Sequence, residues 1–361
     1  MKNIAFVCEL IGTVREGGEN IAMLRLANGL KSLGESVDTY TYTHKDKKLK
    51  INSVVPIQLR LLPFVREILF VPFIGHRLLR NFSNHYDNVF ASSMTIASFF
   101  KPKNSLIIVC HLIRSQKFKT LAKVPKYKLL FNPLTYLLMS SLERNSLNNA
   151  RKIIVIRTQQ KKYLVEKLKI DANKIKVIPN GINVDFFKPK NVPKKNQVIF
   201  VGRGTIPKGI DTLLKAADMI DAQILIVTQK IDQQFLALAK SKSNVSIKLH
   251  ATPEDMVELY SESRVFILPS LNEEQPLSTL EAMSCGLPVV VTKEAASDIV
   301  KNDVHGYIVP ESNPKILSEK VNYLLRNQKL RNTMSKNNRD HVIQNYNAEK
   351  IMREIHSLLY D

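Results

Sequence analysis

The stretch Gln197-Val-Ile-Phe-Val-Gly-Arg-Gly-Thr-Ile-Pro-Lys-Gly-Ile-Asp-Thr-Leu-Leu-Lys-Ala-Ala217 holds three parts of one structural unit in order. The apolar run 197–201 reads as a parallel strand covered on both faces. Gly202, Gly204 and Gly209 then break any regular period, and a helix is expected over 210–219. Arg203 and Lys208 lie five positions apart inside the glycine loop. A strand end, a glycine loop and a helix start can hold a diphosphate on main-chain N–H groups between two cations. A solvated glycine turn with two surface cations accounts for the same residues.

Strand and helix patterns continue on either side. Downstream, strands are predicted at 223–227, 245–249, 265–268 and 288–292, a helix at 277–284, and a helical tail from about 313 to 361. Upstream, strands are predicted at 3–8, 36–42, 88–91, 106–110, 152–156 and 174–178. A helix between the first two carries Ile21, Leu24, Leu26, Ala27 and Leu30 on one face and closes at Gly34. Two prolines and four lysines within 187–196 read as an exposed linker. Alternation of this kind in both halves gives the fold class α/β, with two parallel-sheet, Rossmann-like domains. The 361 residues suit two domains of about 150–190 residues each. The expected division is 1–190 and 191–341, with a C-terminal helix at about 342–361 packing back on the first domain.

Composition excludes several classes. Twelve Gly and 16 Pro are too few for a collagenous or Pro/Gly-rich disordered chain. Three isolated cysteines, Cys8, Cys110 and Cys285, form neither a disulfide framework nor a CxxC zinc site. The longest apolar candidate, 129–142, is interrupted by Asn132 and Pro133 and falls short of the roughly 18–20 residues of a membrane span. The first residues lack the apolar core of a signal peptide. A cytoplasmic protein is expected. The net charge of +21 is uneven: 32 Lys/Arg against 12 Asp/Glu in residues 1–190, and 21 against 20 in the remainder. The first half therefore calls for an anionic partner. No nucleic-acid-binding module is found and Trp is absent, so no nucleic acid is expected.

A second block, Pro269-Ser-Leu-Asn-Glu-Glu-Gln-Pro-Leu-Ser-Thr-Leu-Glu-Ala-Met-Ser-Cys-Gly-Leu-Pro-Val-Val290, follows a predicted strand. Glu273 falls in the loop at the strand end, and Glu281 falls eight residues later inside the next helix. Loops at the carboxyl ends of open α/β sheets bind ligands, and a carboxylate can accept two hydrogen bonds from a ribose cis-diol. A helix acid satisfied by its neighbours is the alternative for Glu281.

With these blocks in place, the chain resembles the retaining glycosyltransferases of GT-B fold, family 4, also called glycosyl transferases group 1. Three segments carry the resemblance: Pro179-Asn-Gly-Ile-Asn-Val-Asp-Phe-Phe-Lys-Pro189, Val201-Gly-Arg with Lys208-Gly209, and Glu273 to Glu281 with its continuation to Val290. Gly17-Gly18 and His111 add to it. The resemblance implies two Rossmann-like domains facing across a crevice, an acceptor-side N-terminal domain and a nucleotide-sugar-binding C-terminal domain. It implies that Arg203 and Lys208 neutralise the donor diphosphate, Glu281 holds the ribose, and Glu273 meets the donor sugar. Main-chain amides beyond Glu273, at Leu277 and Ser278, would reach phosphate or sugar. His111 would lie near the reacting carbon, and Gly17 and Gly18 would let the N-terminal loop approach the diphosphate. The catalytic set is thus Glu273, His111, Arg203 and Lys208.

The implied activity is retaining transfer of a hexose or related sugar to a hydroxyl of a glycan or glycolipid, in bacterial surface polysaccharide or lipopolysaccharide synthesis. The co-substrate is a UDP- or GDP-sugar, with no other cofactor. No metal is expected, because two cations neutralise the diphosphate and no DxD motif is present. A nucleotide-sugar hydrolase or epimerase and a non-enzymatic basic binding protein are the alternatives. The chain departs from the family pattern at several points. Glu19 is displaced by one position, Pro276 and Pro207 replace the usual residues, Thr228-Gln229-Lys230 replaces a glycine turn, and Leu112 follows His111. The apolar–basic stretch from Arg60 to Arg80 suggests a further partner, an anionic membrane surface, and a peripheral location on the inner face of the cell membrane; Phe64, Ile68, Leu69 and Phe70 as core residues are the alternative.

Overall fold

The computed structural model describes residues 1–8, 18–41, 85–91, 106–110 and 133–361. They divide into two units, Met1–Pro179 with Met352–Asp361, and Asn180–Ile351.

In the first unit the short apolar runs become strands β1 (Asn3–Cys8), β2 (Ser36–Thr41), β3 (Asn88–Ala91), β4 (Leu106–Cys110), β5 (Lys152–Val155) and β6 (Ile175–Val177). Helices α1 (Gly18–Ser32), α2 (Pro133–Asn149) and α3 (Thr158–Glu166) lie between them in sequence. All six strands are parallel, in the order β2-β1-β3-β4-β5-β6. Ile4, Phe6, Phe90, Ile107, Ile108 and Ile153 are fully buried. Uninterrupted apolar strands of this kind belong in a parallel sheet covered on both faces. Phe6 and Phe90 stack at 4.8 Å across the β1–β3 pair. Helix α1 ends where Gly34 takes φ +92°, the left-handed conformation of a glycine stop.

The last ten residues belong to this first unit. Glu35, 7% exposed, anchors them. It accepts hydrogen bonds from the Lys2 amide, from Tyr360 Oη at 2.6 Å and from His356 Nε2 at 2.7 Å. Burial alone would raise this carboxyl. The bonds from Tyr360, Lys2 and His356 outweigh it and hold the group down at about 2. Arg151 Nη2 adds a bond to Leu358 O at 2.9 Å.

The second unit contains β7 (Gln197–Val201), α4 (Ile210–Ala216), β8 (Gln223–Thr228), α5 (Gln233–Lys240), β9 (Val245–Leu249), α6 (Pro253–Glu262), β10 (Val265–Leu268) and α7 (Leu277–Ser284). It continues with β11 (Val289–Thr292), α8 (Lys293–Ala296), β12 (Gly306–Val309), α9 (Pro314–Arg326), α10 (Gln328–Asn345) and the start of α11 (Ala348–Ser357). Its six strands are again parallel, in the order β12-β11-β10-β7-β8-β9. Ile199, Phe200, Ile226, Ile267 and Val290 are completely buried beneath the helices. The segment 187–196 lies within this unit. It is held by Lys190 N to Ser261 Oγ at 3.0 Å and by Lys195 N to Glu262 O at 2.8 Å. Between α10 and α11 the chain pairs with Ile182, whose N–H donates to Tyr346 O at 2.8 Å.

The two Rossmann-like sheets give the α/β class read from the sequence. Among the described residues no helix is long and apolar enough to cross a membrane.

Candidate active site

Strand order decides where the site falls. From β7 the chain adds β8 and β9 on one side, then returns to place β10 on the other side of β7. Such a reversal leaves a crevice at the carboxyl ends of the two diverging strands. The two blocks singled out in the sequence are the loops that leave β7 and β10 at that point.

These loops are fastened together. Leu271 N donates to Pro207 O at 3.0 Å. Gly209 has φ +74°, and a Cβ there would stand 2.0 Å from Pro269 O, so only glycine fits. On the other side, Gly204 N donates to Lys230 O at 2.8 Å and Asp232 N to Gly204 O at 3.0 Å. A Cβ on Gly204 would meet Ile231 Cγ1 at 2.4 Å. Gly204 and Gly209 thus serve close packing against the β8 and β10 loops. The departure at Thr228-Gln229-Lys230 supplies one wall of that packing.

Lys208 closes a short 3₁₀ turn, Ile206–Lys208, and its Nζ forms an ion pair with Glu273 Oε1. Ser270 Oγ donates to the same carboxylate oxygen at 2.9 Å. Ser270 is fully buried, and its carbonyl accepts from Thr292 Oγ1 at the end of β11. Three strand ends therefore fix one carboxylate against one ammonium. Arg203 is exposed, and among the described contacts none engages its guanidinium.

Glu281 lies in α7, where Tyr260 Oη donates to its Oε2 at 3.1 Å. Tyr260, from α6, is the largest fully buried side chain of the described residues. Burial first, and then the Glu281 charge, pushes its phenol well above the ordinary value, so it remains a donor. Cys285 is buried, and burial together with Glu281 pushes its thiol up to about 12, which keeps it protonated and unreactive. Helix α7 starts after Pro276, which has no N–H. The amides of Leu277 and Ser278 have no acceptor among the described bonds. Helix-start N–H groups of this kind suit an anion or a hydroxyl.

The structure places Arg203 and Lys208 in the loop after β7, Glu273 in the adjoining loop after β10, where it pairs with Lys208, and Leu277, Ser278 and Glu281 in the helix that follows. Gly18 opens α1 in the first unit. Gly17, His111 and the stretch 60–80 lie outside the described residues. Sequence reading missed Ser270, Thr292 and Tyr260. Nothing local to these residues marks them; the β10–β11 and α6–α7 packing does. Among the described residues no group of three or more His, Cys, Asp or Glu could hold a metal ion.

Comparison with known proteins agrees with this architecture. The family profile described as "Glycosyltransferase Family 4" matches residues 16–186, and "Glycosyl transferases group 1" matches residues 182–341. The chain is similar to an N,N'-diacetylbacillosaminyl-diphospho-undecaprenol alpha-1,3-N-acetylgalactosaminyltransferase of Campylobacter jejuni. The two are 28% identical over 246 residues, which is 63% of this chain and 65% of the relative. A UDP-Gal:alpha-D-GlcNAc-diphosphoundecaprenol alpha-1,3-galactosyltransferase of Escherichia coli is 28% identical over 239 residues, 58% of this chain and 60% of the relative. These matches therefore span less than two thirds of either relative. The solved sucrose-phosphate synthase of Thermosynechococcus elongatus superposes with a TM-score of 0.82 at 21% identity, covering 99% of this chain and 98% of that one.

Two Rossmann-like units of this topology define the GT-B class. The two profiles between them span residues 16–341, and the chain belongs to glycosyltransferase family 4.

Proposed function

We propose that the chain is a retaining glycosyltransferase, moving a hexose or related sugar from a UDP- or GDP-sugar to a hydroxyl of a glycan or lipid-linked glycan. The observation that carries this reading is the junction of the β7 and β10 loops at the sheet's switch point, where Lys208 pairs with Glu273 just before α7 begins with amides that no described bond uses. The names of the two bacterial relatives support the substrate classes, since both specify a diphospho-undecaprenol-linked acceptor and one specifies UDP-galactose. By that analogy the product is part of a bacterial surface polysaccharide. The second unit binds the donor, and the basic first unit binds the acceptor.

The chemistry follows from charge. As the bond from sugar carbon to diphosphate oxygen breaks, negative charge grows on the phosphate and positive charge on the ring. Arg203, Lys208 and the amides of Leu277 and Ser278 stabilise the first, as preorganised donors in a partly dry site. Glu281 holds the ribose, its second oxygen kept in place by Tyr260. Glu273 meets donor-sugar hydroxyls and supports the ring charge. The acceptor hydroxyl attacks from the face the diphosphate leaves, and its proton passes to the departing phosphate oxygen. Two cations suffice for the leaving group without a metal. The excess of basic residues in the first half suits a peripheral position on an anionic membrane.

Calorimetric titration with UDP and with GDP in metal-free buffer, beside Glu281→Ala, tests the reading. One nucleotide should bind, and the variant should lose it. Failure of both nucleotides with the wild-type chain would overturn the UDP- or GDP-sugar reading.

A further inference from the structure

Glu273 sits in a segment without regular secondary structure, 269–276. A carboxylate on an irregular loop keeps its place only if the main chain around it is bonded elsewhere. Two of the bonds that do this come from one short helix. Helix α8 follows β11 and has four residues, Lys293–Ala296. Its N-cap, Thr292, donates through Oγ1 to Ser270 O. Its C-cap, Ser297, donates through Oγ to Glu274 O at 3.0 Å. The two caps of one helical turn thus grip the segment on either side of Glu273. The segment is also seated against its neighbours. Leu271 N donates to Pro207 O at 3.0 Å, in the loop that carries Lys208, and Gln275 Oε1 accepts from Asn180 N at 2.6 Å.

The two caps differ in kind. Thr292 has the extended backbone of an ordinary N-cap, and its Oγ1 also accepts from Ala295 N at 3.5 Å. Ser297 has φ +49° and ψ −139°. Glycine occupies this region freely, and residues with a side chain pay in strain to enter it. Ser297 is held there from both sides. Its own N–H donates to Lys293 O at 3.2 Å, and the next carbonyl, Asp298 O, accepts from Tyr346 Oη at 3.2 Å. Ala295 and Ala296, which precede it, are buried. Glycine would meet every one of these backbone demands without strain. What serine adds over glycine is the hydroxyl, and that hydroxyl is bonded to the carbonyl next to Glu273.

We infer that Ser297 is a positioning residue for Glu273: by holding Glu274 O it fixes the loop so that the carboxylate faces Lys208 and the donor sugar together. The sugar contact rests on the donor reading; the grip on the loop rests on the hydrogen bonds alone. Ser297 touches neither the reacting atoms nor Glu273 itself through any described bond, so its effect is on alignment. A misplacement of about 1 Å at a reacting centre can cost about 10²-fold in rate. Ser297 supplies one of several bonds to the loop, and about tenfold is expected from its loss.

The test compares the full wild-type chain with Ser297→Ala and Ser297→Gly. Both variants lack the hydroxyl. Only glycine also relieves the backbone, so urea unfolding should give Ser297→Gly a midpoint at or above that of Ser297→Ala. Hydrogen exchange of the Leu271 amide in the free protein should nevertheless quicken by about fivefold in both. Hydrolysis of UDP-galactose or GDP-mannose, with water in the acceptor's place, is followed as nucleotide release. Its kcat should fall by about tenfold in both variants, with KM within about threefold of wild type. A serine that served stability alone would instead rank the variants by midpoint and leave Ser297→Gly near the wild-type values. Leu271 exchange at the wild-type rate in Ser297→Gly overturns the inference, and so does an unchanged kcat where the wild type turns over. The exchange measurement needs no donor. A wild-type chain that releases nucleotide from neither sugar therefore counts against the UDP- or GDP-sugar reading, while the Leu271 rates still decide whether Ser297 holds the loop.

Discussion

Replacing Glu273 by Gln should tighten nucleoside diphosphate binding while slowing sugar transfer. The reason lies in the ion pair. Lys208 Nζ is bonded to Glu273 Oε1, and the two side chains are only 20% and 9% exposed. A diphosphate placed on Lys208 must compete with that carboxylate for the same ammonium. Two unit charges about 4 Å apart at an effective dielectric near 20 attract by about 4 kcal/mol. Dehydration of both ions offsets most of this, leaving a net coupling of about 1.4 kcal/mol, or about tenfold in affinity. Gln keeps the size and one acceptor oxygen, to which Ser270 can still donate, but it removes the charge. Calorimetry with the nucleoside diphosphate should therefore show a Kd lower by about tenfold in Glu273→Gln. The same variant should lose turnover, because the developing ring charge has lost its carboxylate. Lys208→Ala should behave oppositely in binding, weakening the diphosphate, and should lower kcat by roughly 10²–10³. If Glu273→Gln binds the diphosphate no better than wild type, Lys208 is not a phosphate ligand, and the assignment of the β7 loop fails.

Three further outcomes follow from the geometry. Gly209→Ala places a methyl group 2.0 Å from Pro269 O at φ +74°, so urea unfolding should show a loss of more than about 2 kcal/mol. Tyr260→Phe removes the hydrogen bond to Glu281 Oε2 and should weaken nucleotide binding several-fold by calorimetry, whereas an unchanged Kd would separate Glu281 from the ribose. The Glu35 carboxyl sits at about 2, below its ordinary 4.5, so its contribution is present above pH 4.5 and disappears as pH falls through about 2. After solvent screening this contribution is about 1–2 kcal/mol. Acid unfolding of wild type should therefore be steeper than that of Glu35→Gln in this window, and parallel curves would refute the anchoring of the C-terminal residues by Glu35.

The sequence by itself determined the class of fold and the chemistry-bearing loops. Period and length sufficed for that. Short apolar runs such as 198–200 and 265–268, bounded by turn residues, read as strands covered on both faces, and the glycines after Val201 mark a loop; that Gly204 and Gly209 are there for close approach came from the structure. The positions of Glu273 in a strand-end loop and Glu281 within the following helix came from the same reasoning. Tertiary structure alone decided which of these groups touch. The order β12-β11-β10-β7-β8-β9 puts the loop of β10 beside that of β7, although 65 residues separate Lys208 from Glu273. It also delivers Ser270, Thr292 and Tyr260, whose roles depend on neighbours 3 to 22 residues away in sequence. In the first unit, the return of the C-terminal residues brings Tyr360 to Glu35 across 325 residues. Local patterning reports the preference of each segment for helix or strand, because that preference depends on near neighbours. Which carboxylate meets which cation depends on how the strands are ordered, a choice settled by packing whole sheets and helices against one another.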